Sequence, residues 1–188
     1  MLLLQLLSAA TRRDEIVAFV DTFDRLDVES ASAAGVDLNR LLWIRGQSSG
    51  LGTRDSGLGT RDPGWLDRVI DRALKALNLV LQAGGFGIVA IDLIEASPAS
   101  LRQIPFTTWL RVQRVIEGSD TACVLLTPVP LARSAGGLTV SLAGRSTWVG
   151  ASDRSRRLAG VDVCVRVVSP RKRIDGDVMV SVSVDDFQ

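Results

Sequence analysis

Two aspartates close apolar runs. Asp21 ends Ile16–Asp21 (IVAFVD), and Asp92 ends Ile88–Asp92 (IVAID). A carboxylate at the end of a strand can bind a metal ion, and Asp92 is the candidate for it. The plainer role for such an acid is to terminate a strand. Three basic groups could contact phosphates by charge and counterion release: Arg145, the RSRR segment Arg154–Arg157, and the RKR segment Arg171–Arg173. The DNA-contact candidates are Arg154, Arg156, Arg157, Arg171, Lys172 and Arg173. Asp153, Asp175 and Asp177 stand close in sequence, and the competing reading is a solvated, charge-balanced surface. Tyrosine is absent and aromatic residues make up 5% of the chain, which gives little material for a base-stacking platform.

A third feature is a perfect tandem: Ser49–Asp55 reads SGLGTRD and Ser56–Asp62 repeats it. A phosphate-cradling loop needs a Gly-Lys-Ser/Thr ending, or a place directly after a strand, and this segment has neither. Its composition has little to bury, so an exposed, mobile loop is expected over 46–64. With no histidine, the chain has no His-based triad, His metal site or His general base. Cys123 and Cys164 lie in apolar β-like runs and read as reduced core residues. Two cysteines make no disulfide framework, and a cytoplasmic location is expected.

The elements that must position these residues read as strand–helix alternation. With 188 residues, 46% hydrophobic and 23% charged, the chain suits one globular domain, and its net charge of +1 confines any nucleic-acid site to a local patch. Leu2–Thr11 is apolar nearly all round and predicts a buried helix. It has no basic residue ahead of its apolar stretch, and Arg12 and Arg13 follow it. It is also shorter than the ~20 residues of a membrane span, so neither a signal peptide nor a membrane partner is expected. Strands are predicted at Ile16–Asp21, Leu41–Arg45, Ile88–Asp92 and Thr121–Thr127. Helices are predicted at Ser30–Ala34, at Trp65–Ala83 with a buried face of Leu66, Ile70, Ala73, Leu74, Leu77 and Leu81, and from Pro105 to about Glu117. Arg68, Arg72 and Lys75 occupy another face of the long helix. Leu138–Leu142, Val161–Val168 and Val178–Val184 alternate apolar and polar residues, as antiparallel strands at a sheet edge do. The fold class is therefore α/β, a mainly parallel central sheet flanked by helices with antiparallel strands at the C-terminal end.

The local words resemble the ATPase core of RecA-type recombinases. Leu2–Ala10 is similar to the helix after the family's phosphate loop, and Val17–Asp21 to its next strand. Leu26-Asp27 and Ala34-Gly35-Val36-Asp37-Leu38-Asn39-Arg40-Leu41-Leu42 resemble its LD and LGVD-x-x-NLL words. Ile88–Asp92 falls where the Walker B strand belongs, Thr121–Thr127 where the sensor strand does. Ala135-Gly136-Gly137 resembles a TGG word, and Val165–Arg173 the late strand and basic turn. The collinear matches cover nearly the whole chain and imply a single RecA-like P-loop NTPase core over 1–188, truncated at its N-terminus.

The departures from that pattern carry the functional expectation. An active enzyme of this kind cradles phosphates on a Gly-rich loop, neutralises them with Lys and holds Mg²⁺ through Ser or Thr. The chain starts about where the family's Lys-Thr-Thr would just have passed. By resemblance Phe23 takes the place of the catalytic carboxylate, and Thr127 and Pro128 stand where the family has its amide sensor. Only Asp92, the Walker B-like acid, is kept, as a residual cofactor-binding residue. No catalytic residue, no metal site and no cofactor are expected, with ATP and Mg²⁺ entering only if a phosphate loop lies upstream. A retained core with lost chemistry is similar to the degenerate ImuA-type accessory proteins, whose LLW word and Arg-rich segment resemble Leu41-Leu42-Trp43 and Arg154–Gly160. The resemblance implies a DNA-repair and SOS-response accessory that binds RecA, error-prone polymerase components or DNA. A DNA-dependent recombinase and a SulA-like division inhibitor are the alternatives.

Overall fold

A computed structural model of the chain describes residues 2–46, 64–132, 137–150, 157–169 and 178–183. The chain divides into two compact units, Met1–Ala132 and Arg133–Gln188.

The first unit is built on a four-stranded, all-parallel sheet. Its elements are α1 (Leu2–Thr11), β1 (Val17–Asp21), α2 (Val28–Ala33), β2 (Leu41–Arg45), α3 (Trp65–Ala83), β3 (Ile88–Asp92), α4 (Pro98–Gln103), α5 (Phe106–Ile116) and β4 (Ala122–Leu126), with a short 3-10 turn at Leu38–Arg40. The strand order is β2-β1-β3-β4. Successive residues of a strand point to opposite faces, so a sheet covered on both sides needs unbroken apolar runs. VAFVD and IVAID supply them: all five residues of β1 and four of β3 are buried. Ala18, Val20, Val89 and Ile91 join Ile70, Ala73, Leu77 and Leu81 of α3 and Trp109 and Val112 of α5 in one core. Val17, Phe19, Ile88 and Ala90 join Leu7 and Ala10 of α1 and Ala31 of α2 in the other.

Local signals set the helix ends. Asp27 caps α2 by accepting from Ser30 N at 3.0 Å. Ser97 caps α4 by accepting from Ser100 N at 3.0 Å, with Pro98 opening the helix. Gly84, at φ 68°, ends α3 in a conformation that side chains disfavour.

The apolar spacing of α3 gives its bounds and most of its buried face, but Val69 and Val80 are buried while Leu66 and Leu74 are only partly so. Helix α4 is an addition to the sequence reading. Helix α1 is less enclosed than its composition suggests, with Leu2 47% and Leu6 38% exposed. Among the described residues no helix is long and apolar enough to cross a membrane.

The second unit holds β5 (Thr139–Val149), β6 (Arg157–Ser169) and β7 (Val178–Ser183). These do form antiparallel ladders, β5 with β6 and β6 with β7. The expected place at the edge of the parallel sheet is corrected: they make a separate three-stranded sheet in the order β5-β6-β7. Alternation identified the ladder type, but which sheet a strand joins depends on backbone pairing that one strand's pattern does not encode. The tandem repeat at 49–62 lies outside the described residues.

Candidate functional site

The chain leaves β1 to build β2 on one side, then returns to place β3 on the other. That reversal is a topological switch point, and the crevice beyond the carboxyl ends of β1 and β3 is where open α/β sheets hold ligands. Register puts Arg45, Asp21, Asp92 and Leu126 in one row across the four strand ends. Alternation sends Val17 and Phe19, and Ile88 and Ala90, to the core beneath α1. Asp21 and Asp92 continue those two series on the same face. The chain enters β1 directly from the C-terminal end of α1, so the helix runs back along that face. Its early residues Leu3 and Leu4 pack there with Leu26, Trp43 and Leu126.

The two aspartates differ in what they have left to offer. Asp21 is fully buried. Its Oδ1 accepts from Arg25 N at 2.8 Å, and its Oδ2 from Leu26 N at 2.8 Å and from the Trp43 indole Nε1 at 3.1 Å. Three donors fix the loop after β1 and tie β2 to it, so Asp21 acts as a structural acceptor. Asp92 is half-buried and, among the described residues, accepts a hydrogen bond from Ile94 N alone, through Oδ1 at 2.9 Å. Burial pushes its carboxyl above the usual aspartate range against that hydrogen bond, and the charges of Asp21 and Glu95 add to the rise. Asp92 therefore holds its proton more readily than a solvated aspartate does. Among the described residues no group of three or more His, Cys, Asp or Glu is placed to hold a metal ion.

Ion pairs frame the crevice. Arg25 Nε meets Glu95 Oε1 at 2.7 Å, joining the loops that follow β1 and β3. Arg45 grips Asp24 with two bonds of 2.8 and 2.9 Å, and its guanidinium lies 4.7 Å from the centre of the Trp43 ring. The Arg45 hydrogen bond holds the Asp24 carboxyl below its ordinary range. Asp24 itself adopts φ 56°, an uncommon conformation for a side-chain-bearing residue. Behind the row, Gly46 N donates to Asp21 O at 2.7 Å, and a Cβ at Gly46 would collide with the Thr22 carbonyl oxygen. The buried Thr22 hydroxyl has no hydrogen-bond partner among the described residues.

The residues singled out by sequence fall in different places. Asp92 is in this crevice. Phe23 packs, partly buried, against the core beneath α3. Thr127 Oγ1 donates to Val129 O at 2.7 Å just beyond β4. Arg157 is exposed at the start of β6, in register with Val149. Arg145 lies on β5, in register with Asp162. Arg154, Arg156, Arg171, Lys172 and Arg173 lie outside the described residues. Cys123 and Cys164 are free and only partly covered, although burial still pushes the Cys123 thiol up to about 12. The sequence reading missed Trp43, Arg45, Asp24, Arg25 and Glu95 as a group, because their proximity comes from strand register rather than spacing. No protein-family model matches the chain, and no curated protein matches it.

Proposed function

We propose that this chain is a RecA-like DNA-repair and SOS-response accessory protein that acts by binding RecA, error-prone polymerase components or DNA, without hydrolysing ATP at a useful rate. One observation carries the reading. The crevice at the switch point keeps a strand-end carboxylate, Asp92, beside Asp21, while Phe23, which by resemblance takes the catalytic carboxylate's place, is a partly buried side chain packed against the core. Phenylalanine cannot activate water. Asp21 has its oxygens occupied by Arg25, Leu26 and Trp43, so it is not available to share work with Asp92. Such a site supports a protein that kept a nucleotide-binding architecture and uses its surfaces instead. In this reading the basic segments, including the exposed Arg157, contact DNA phosphates, and the protein works in the cytoplasm.

The test is capture of RecA and of error-prone polymerase components by the purified chain, with and without single-stranded DNA, alongside a phosphate-release assay. Specific capture without DNA-stimulated phosphate release is the expected result. DNA-stimulated release would overturn the reading in favour of a recombinase. Capture of a tubulin-like division protein, with no affinity for DNA, would replace it with a division inhibitor.

A further inference from the structure

We draw no further inference here: the strongest candidate, the open cleft of about 850 Å³ at the N-terminal ends of β1, β3 and β4, is rimmed by Asp14, Glu15 and Asp120, of which Arg40 and Arg13 already hold the first two, and nothing in the structure shows what would occupy it.

Discussion

Asp21 and Asp92 share a residue type, a strand position and a register row, yet their surroundings give them opposite roles. Replacing Asp21 by Ala would strand the Arg25 and Leu26 amides and the Trp43 indole N–H in a buried place. Unsatisfied buried donors cost about 1–3 kcal/mol each, so Asp21→Ala is expected to lose on the order of 3 kcal/mol or more in urea unfolding. Asp21→Asn, which keeps one acceptor oxygen, should lose less. Equal losses would show that the hydrogen bonds are not the source. For Asp92 the linkage has the reverse of the usual carboxylate sign. Its folded carboxyl is raised, chiefly by burial. The unfolded chain therefore gives up this proton at lower pH than the folded one, and stability falls as pH rises from the unfolded value through the folded value. Below both values Asp92 contributes nothing. Above both, the full penalty remains. Asp92→Asn removes the charge and keeps an acceptor for Ile94 N, so it is expected to stabilise the protein at pH 7, with an advantage over the parent that grows as pH rises from the acid side and vanishes at low pH. A variant whose stability tracks the parent at every pH from 4 to 8 would contradict this.

At the scale of elements, the exit of β2 is held against the end of β1 by Gly46, whose N–H donates to Asp21 O and whose bare Cα faces the Thr22 carbonyl. The obstacle is backbone, which cannot swing aside as a side chain would. Gly46→Ala is expected to cost about 1–3 kcal/mol, typical of forced overpacking, and to disturb the Trp43–Asp21 contact, seen as a shift in tryptophan emission. Unchanged stability would mean that the two strand ends can separate freely. Much of the element list was legible beforehand. The bounds of α3 follow from its 3.6-residue apolar period and the glycines after it, and β1 and β3 from unbroken apolar runs. Helix α4 was missed although Ser97-Pro98 is a start signal, because six residues carry too little periodicity to stand out.

For the whole molecule, the division at Ala132 has a direct consequence. The first unit contains both cores and all four parallel strands. A chain of that size buries enough apolar surface to fold by itself. The fragment Met1–Ala132, which retains Trp43, Trp65 and Trp109, is expected to unfold in a single cooperative transition in urea, with fluorescence and circular dichroism coinciding. A fragment that binds a hydrophobic dye and melts gradually would show that the first unit depends on residues beyond 132.

What the sequence determined by itself was local: which runs are strands buried on both faces, where α3 starts and stops, that the last strands pair antiparallel, and that no histidine chemistry is available. Each follows from side-chain type and period along one stretch of chain. Tertiary structure alone decided the strand order β2-β1-β3-β4, the assignment of β5, β6 and β7 to their own sheet, and the row of Arg45, Asp21 and Asp92 across neighbouring strands. It also decided that Asp21 is saturated with donors while Asp92, among the described residues, accepts from Ile94 N alone, because a hydrogen-bond partner such as Trp43, 22 residues away in sequence, arrives only when the strands pair.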